Sequence, residues 1–313
     1  TYEVKLSPPQ LSTYDRHLIY KVPEWEEAKK IIRQALSQHE KVLIVCNTVA
    51  KAQELYINLL SDPLCNQCSH LLIHSRLRRK DRATKEDQLR EFEGRGNDGI
   101  RPCWVVATQV VEVSLDISFD RMVTACAPID ALIQRFGRIN RRRTVDSLNK
   151  QKPVHVIAPE GNQRPYDDDI VARTFSALPN DGGILHETEL QSMLDHVYPV
   201  IPNPINIDIH TIWREGEFQL SPLCNKPSSI LETVLEINTA TCILECDRDE
   251  YETTPWNIRS GLEIPVSRGA IISAAKKNGY IQLEMGNRPF IIPQDETAHI
   301  DLGLQLNEYD SFL

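Results

Sequence analysis

Trp104-Val105-Val106-Ala107-Thr108-Gln109-Val110-Val111-Glu112-Val113-Ser114-Leu115-Asp116-Ile117 passes without a break from a β-branched apolar run into a string of Thr, Gln, Glu, Ser and Asp. A strand that is apolar at successive positions is buried on both faces, and the polar residues are what its end releases. Four other runs share this character: Lys41-Val42-Leu43-Ile44-Val45-Cys46, Leu71-Leu72-Ile73-His74, Met122-Val123-Thr124-Ala125-Cys126 and Val154-His155-Val156-Ile157-Ala158. Helix-patterned segments lie between them at 25–38, 49–60, 78–91 and 129–137. Strand–helix alternation of this kind predicts an α/β fold, a parallel sheet flanked by helices. Ligands of such sheets sit at the loops beyond the C-terminal ends of the strands.

The pattern changes twice further on. Residues 159–205 carry Pro- and Asp-containing turns and two helix-like stretches, near 168–177 and 187–198, and read as a helical linker. Residues 206–313 hold strand-like pieces at 241–246 and 280–284 and many prolines, which predicts a smaller α+β or mostly β C-terminal domain. The expected organisation is therefore 1–158 as one α/β domain with an N-terminal arm, 159–205 as linker, and 206–313 as accessory domain. Gly94-Arg95-Gly96-Asn97-Asp98-Gly99 is glycine-rich, but no helix follows it, so it reads as a connecting loop and not as a phosphate cradle.

A hydrophobic fraction of 41% with 25% charged residues is that of a folded globular chain, neither disordered nor membrane-embedded. No apolar run approaches the length of a membrane span, and residues 1–10 lack the pattern of a signal peptide. The chain begins without Met, as a fragment or processed product does. With no export signal the eight cysteines are expected to be reduced and the compartment cytoplasmic. A net charge of −9 argues against a general polyanion binder. Two basic segments stand out from that acidic body: Arg76-Leu77-Arg78-Arg79-Lys80-Asp81-Arg82, and the run from Gln134 to Arg143, which holds five arginines in ten positions. Basic stripes on an acidic body are directed anion sites.

Gln134-Arg135-Phe136-Gly137-Arg138-Ile139-Asn140-Arg141 carries the chemistry. On a helix Gln134, Arg138 and Arg141 recur at i, i+4 and i+7 and share a face. Arg supplies a planar, permanently charged donor of the kind phosphoryl transfer requires. Gly137 lets such a segment approach a neighbouring surface closely. The blander alternative is a solvated basic helix. It fits less well, because the segment is led in by Ile129-Asp130-Ala131-Leu132-Ile133 and contains glycine.

In wording and order these stretches resemble a known family. Thr108 to Ile117 matches motif V of the superfamily 2 helicases, and Gln134 to Arg141 matches their motif VI at the usual separation. Residues 42–58 are similar to motif IV, and Ile73-His74-Ser75-Arg76 to the adjoining nucleic-acid-contact motif. More narrowly, Ala107-Thr108-Gln109-Val110-Val111-Glu112, Ser114-Leu115-Asp116-Ile117 and Ala127-Pro128-Ile129-Asp130 resemble the helicase–nuclease effector of type I CRISPR systems, which degrades DNA marked by the RNA-guided Cascade complex. The likeness covers 41–143 and reaches 206–313 only by position. It implies the second RecA-like domain of an ATP-dependent DNA helicase, followed by an accessory domain. Residue by residue, it implies Arg138 and Arg141 as arginine fingers, with Gln134 and Arg135 organising the catalytic interface and Asp116 at the ribose. It implies Thr48, His74, Ser75, Arg76, Thr108 and Gln109 on the phosphate backbone of a tracked single-stranded DNA. ATP and Mg2+ are implied as cofactors held mainly by a first RecA-like domain. That domain, a nuclease domain and Cascade are the implied partners.

Some motifs are absent from the sequence. There is no Gly-x-x-x-x-Gly-Lys-Ser/Thr loop and no Asp-Glu-x-His/Asp box; Asp247-Arg248-Asp249-Glu250 has the wrong context for one and is expected to have no buried strand before it. His186, His196 and His210 are too scattered for a nuclease centre, and Asp195-His196 reverses the order of its ligands. The first motor domain and the nuclease are therefore expected upstream or on another chain. No metal site is expected: Cys65-Asn66-Gln67-Cys68, near His70 and His74, lacks a matched second pair, and Cys242 and Cys246 are remote and differently spaced. Trp213, Trp256 and Tyr251 read as core aromatics ahead of base-stacking platforms. Residues 206–313 are expected to roof the bound strand as a lid that swings on the linker. The competing readings are a non-catalytic module that docks on the guide complex, and a related superfamily 2 helicase of repair or restriction.

Overall fold

The computed structural model describes residues 6–93, 101–112, 116–142, 150–161, 163–199, 213–214, 217–218, 239–267, 269–271 and 289–306. Its main sheet contains β1 (His17–Val22), β2 (Lys41–Val45), β3 (Ser69–Ile73), β4 (Cys103–Ala107), β5 (Arg121–Ala125), β6 (Lys152–Ile157) and β7 (Gly183–Ile184). The order across the sheet is β3-β4-β2-β5-β6-β1-β7. All neighbours are parallel except β7, which runs antiparallel to β1. The five apolar runs of the sequence are β2 to β6. β1 escapes that reading because His17-Leu18-Ile19-Tyr20-Lys21-Val22 mixes polar with apolar residues, and only half of its positions are buried.

Successive side chains of a strand point to opposite faces, so each buried strand feeds two cores. Val42, Ile44, Trp104 and Val106 face one side and are covered by α2 (Trp25–Ser37), α3 (Val49–Leu60) and α4 (Pro63–Gln67). There the Trp104 indole donates to the Cys65 carbonyl at 2.9 Å, which fixes α4 as part of the core wall. Leu43, Val45, Val105 and Val154 face the other side. They are covered by α5 (Arg79–Glu93), α6 (Ile129–Phe136), α7 (Asp168–Ala177) and α8 (Leu190–Val197). A short helix, α1 (Pro8–Ser12), precedes β1.

The segment expected as a linker is part of this body. Val171, Leu178, Leu185, Met193 and Val197 join the same core cluster as Leu43 and Val154, and β7 extends the sheet. α7 and α8 are short, so each shows few turns of apolar periodicity, and the packing partner lies on distant strands.

In the C-terminal part, β8 (Trp213–Arg214) and β9 (Glu217–Phe218) form a small antiparallel pair. Then β10 (Thr239–Leu244) lies between β11 (Ile264–Ser267), antiparallel, and β12 (Phe290–Ile292), parallel. With α9 (Arg248–Thr253), α10 (Trp256–Arg259) and α11 (Glu296–Leu302) this makes a small α+β unit. Its core holds Cys242, Leu244, Ile264, Val266, Ile292, Leu304 and Leu306, so a buried strand does precede Asp247-Arg248-Asp249-Glu250, against the sequence expectation. Trp256, expected in a core, is 76% exposed, because a helix of four residues carries it outward at its first position. Tyr251 stacks beneath the Arg259 guanidinium at 4.9 Å. The expected strand at 280–284 and the glycine loop 94–99 lie outside the described residues, as do Val113, Ser114, Leu115, Arg143 and His210.

The described part of this unit is fastened to the main body. Gln53 on α3 donates to the Leu302 carbonyl at 2.7 Å, and the Arg79 amide donates to the Glu263 carbonyl at 3.1 Å. Buried Arg78 reaches Asp247 at 2.9 Å and Glu296 at 2.9 Å. A freely swinging lid would have no buried ion pair with the body such as Arg78–Asp247.

Because Val197 is fully buried in the shared core, Val197→Ala should lower unfolding free energy by about 2 kcal/mol. A substitution in a solvated linker would change it by less than ~0.5 kcal/mol. Urea unfolding measures the difference; an unchanged midpoint would restore the linker.

Candidate functional site at the C-terminal edge of the sheet

The strands end nearly level. Val45 is in register with Ala107 and Ile73 with Ala107, while Val45 pairs with Thr124 and Ala125 with Ile157. Parallel strands therefore release Cys46-Asn47-Thr48, His74-Ser75-Arg76, Thr108-Gln109 and Cys126-Ala127 along one edge. Three motifs scattered over the sequence become neighbours.

Arg135 holds them together. It is fully buried, and its Nε donates to Glu112 Oε1 at 2.8 Å. Nη1 reaches Asn47 Oδ1 at 3.1 Å, Thr124 Oγ1 at 3.0 Å and the Ala125 carbonyl at 3.1 Å, while Nη2 reaches the Tyr166 hydroxyl at 3.2 Å. One guanidinium thus binds groups released by β2, β4 and β5 and one from beyond β6. Asn47 in turn donates to the Cys126 carbonyl at 2.7 Å, and Gln109 donates to the Asn47 carbonyl at 2.8 Å. Glu112 and Asn47 were visible in the sequence only as polar residues in the motif strings. Nothing in the sequence pattern points to Tyr166.

The arrangement expected for the arginines is different in the structure. α6 ends at Phe136 with Gly137 as its cap, so Arg138 and Arg141 are not on a common helical face with Gln134. The chain instead folds back on Phe119: the Phe119 amide donates to the Arg138 carbonyl at 3.0 Å, and the Asn140 amide to the Phe119 carbonyl at 3.3 Å. Burial of both Phe136 and Ile139 drives this return, and Asn140 turns it with φ of 53°.

Arg138 is only 9% exposed, and its Nη2 donates to the Glu112 carbonyl at 2.5 Å. Burial, with the nearby Arg141 charge, holds its guanidinium below the ordinary value. Arg141 and Arg142 are exposed and share Asp116, at 3.1 and 3.2 Å. Gln134 is exposed at the end of α6.

Among the residues expected on nucleic acid, Thr48 and Ser75 are exposed and Arg76 and Gln109 half-buried. Thr48 caps α3, its hydroxyl accepting from the Lys51 amide at 3.2 Å. A shallow cleft beside Ser75 is lined by Arg79, Arg82 and Pro265. Thr108 is buried, and so is His74. His74 corrects the sequence expectation: its ring is enclosed by residues 302–304, with Nε2 2.9 Å from the Leu302 carbonyl and Nδ1 accepting from the Arg76 amide at 3.1 Å. A histidine next to two strand-facing residues reads as a contact in sequence, but this one is covered by residues more than two hundred positions away.

Burial lowers the His74 pKa from 6.5 to about 3, and lowers those of His155 and His299 to about 4. Between these values and 6.5 the unfolded chain binds more protons than the folded one, so stability rises with pH across that window. The urea midpoint should fall as pH drops from 7 to 5, and His74→Gln should flatten part of that slope. A midpoint constant over this interval would contradict neutral buried imidazoles.

Residues 38–144 match the family "CRISPR-associated nuclease/helicase Cas3, C-terminal". A relative from Myxococcus xanthus is 36% identical over 254 residues, which is 80% of this chain and 32% of the relative. The CRISPR-associated nuclease/helicase Cas3 of Methanothermobacter thermautotrophicus is 36% identical over 166 residues, 52% of this chain and 19% of the relative. The chain thus spans about a third or less of the length of the curated relatives it matches. Among solved structures, T. fusca Cas3 with ATP superposes over 93% of this chain and 39% of its own with a TM-score of 0.62; at 20% identity that likeness concerns the fold. With a RecA-like sheet, level motif loops and matches that agree across sequence and fold, the chain belongs to the Cas3 helicase family and corresponds to its C-terminal part.

Proposed function

We propose that this chain is the second RecA-like half of an ATP-dependent single-stranded DNA translocase that works in CRISPR interference, with residues 206–313 as its accessory domain. The observation that carries the reading is the buried Arg135 network. It fastens the segment bearing Arg138 and Arg141 to the loops bearing Thr48 and Gln109. A change of grip on one side of that edge is then felt on the other, which is what coupling hydrolysis to movement requires.

In this reading Gln134, Arg138 and Arg141 face a nucleotide held by a first RecA-like domain together with Mg2+, and ATP supplies the phosphoryl group transferred to water. Arg138 acts as a finger held in place by the Glu112 carbonyl, so little reorganisation accompanies charge development. Asp116 orders Arg141 and Arg142 and contacts the ribose. Thr48, Ser75, Arg76 and Gln109 bind the strand's phosphates without reading bases, which suits movement along any sequence. Thr108 and His74, both buried, support those loops from below. The chain's Cas3 relatives are named nuclease/helicases, and one fold neighbour is a CRISPR RNA-guided surveillance complex in its pre-nicking state. Those names support a nuclease domain and the guide complex as this chain's context, in a setting we take to be cytoplasmic. No described helix is long and apolar enough to cross a membrane.

The test uses the chain joined to a first RecA-like half. Arg138→Ala or Arg141→Ala should reduce strand-stimulated phosphate release by roughly 10³–10⁵-fold while affinity for an oligothymidylate stays nearly intact. Arg76→Ala should weaken binding to all sequences alike and reduce the salt slope by ~0.7. Loss of strand affinity in step with turnover in the Arg138 variant would move these arginines from the nucleotide to the strand.

A further inference from the structure

We infer that residues 302–304, at the end of α11, are a positioning element for Arg76; the inference rests on the strand-track reading above. Both backbone polar groups of Arg76 are held by, or through, this segment. Its amide donates to His74 Nδ1 at 3.1 Å, and its carbonyl accepts from the Leu304 amide at 2.7 Å. Since Nδ1 accepts, the proton of the neutral ring sits on Nε2 and is donated to the Leu302 carbonyl at 2.9 Å. Gln53, itself fully buried, donates to the Leu302 and Leu304 carbonyls at 2.7 and 3.2 Å and so ties the segment to α3.

Gly303 makes the approach possible. Its φ is 72°, and a Cβ there would stand 2.3 Å from His74 Cε1 and 2.7 Å from the Arg76 carbonyl oxygen. Any other residue must push the His74–Arg76 loop outward, with backbone strain in addition. Its carbonyl is fixed as well, accepting from Gln294 Nε2 at 3.0 Å. The far side of the loop is gripped by α11 as well: the Arg78 amide donates to His299 Nε2 at 3.2 Å and its guanidinium binds Glu296 at 2.9 Å, with Asp81 of α5 and Asp247 as its other carboxylates. Ser75 and Arg76 are thus suspended between two anchors, one on α11 and one just past its C-terminal end, and the accessory unit sets where their side chains stand.

The experiment is a double-mutant cycle on the 313-residue chain, read by anisotropy with a fluorescein-labelled oligothymidylate and by amide exchange over residues 74–78. Gly303→Ala should weaken oligonucleotide binding about tenfold in the native background and add nothing in the Arg76→Ala background, since contacting residues couple by that order. Exchange over 74–78 should quicken in parallel. If circular dichroism shows Gly303→Ala unfolded, Gln53→Leu enters the same cycle with the same expectation. An additive loss in the Arg76→Ala background, or unchanged affinity, overturns the positioning role. Unchanged exchange in Gly303→Ala breaks the clamp itself. If Arg76→Ala leaves affinity untouched, the strand-track reading falls and takes the positioning role with it, even where exchange shows the clamp intact.

Discussion

A guanidinium with no exposure to water cannot remain unpaired; burying such a charge alone costs far more than a domain's net stability. Arg135 is in that position, and its acceptors come from several strand ends at once. The sheet edge has therefore little freedom to rearrange piecemeal. If the loop after β2 moved away, the Asn47 acceptor would be lost, and movement after β4 would strand Glu112, a carboxylate that is itself mostly buried. Breaking one partner of such a buried pair is typically worth ~3–5 kcal/mol. The constraint explains why motif loops from separate parts of the chain behave as one surface.

Arg78 plays the equivalent part at the join with the accessory unit. Its side chain is buried against Asp81 from the first turn of α5 and against Asp247 and Glu296 from the C-terminal part. Three carboxylates around one cation leave a net negative cluster, partly relieved because Glu296 is half exposed. The join is thus specified by charge and by hydrogen bonds to backbone carbonyls more than by apolar area. That is consistent with a C-terminal core that packs mainly on itself.

Legibility in the sequence followed the type of interaction. β2 to β6 could be read because a strand buried on both faces has to be apolar at nearly every position, a property of the local residues alone. β1 could not, because its partners let Tyr20 and Lys21 stay half-buried: Tyr20 stacks on His155 at 5.0 Å and Lys21 lies over the Phe175 ring. α7 and α8 were seen as helices, but whether a short amphipathic helix packs on its own sheet or bridges two domains depends on distant residues. In the candidate site the residue types were legible and their geometry was not. The i, i+4, i+7 spacing of Gln134, Arg138 and Arg141 holds only while the helix continues, and the helix stops because Ile139 gains more by meeting Phe119 beneath the sheet edge. His74 looked like a strand contact because its cover, residues 302–304, has no signature in local sequence.

That cover bears on how a strand-tracking loop can work at all. A loop that binds phosphates without base contacts gains specificity for the backbone only if its donors are held at the right spacing before the strand arrives, since ordering them on binding costs about 0.5–1.5 kcal/mol per side chain. Exposed loops usually lack that order because their backbone groups bond to water. The 74–76 loop avoids the problem: the Arg76 amide and carbonyl are both satisfied by protein groups, one from the neutral His74 ring and one from Leu304. Pre-ordering from a separate folding unit has a further consequence. A force that pulls the accessory unit away from α3 and α5 must first break the Gln53, His74 and Leu304 hydrogen bonds, and the backbone of Arg76 loosens in the same event. Under the proposed strand-track reading, grip on the strand and seating of the accessory unit are two readouts of one set of hydrogen bonds.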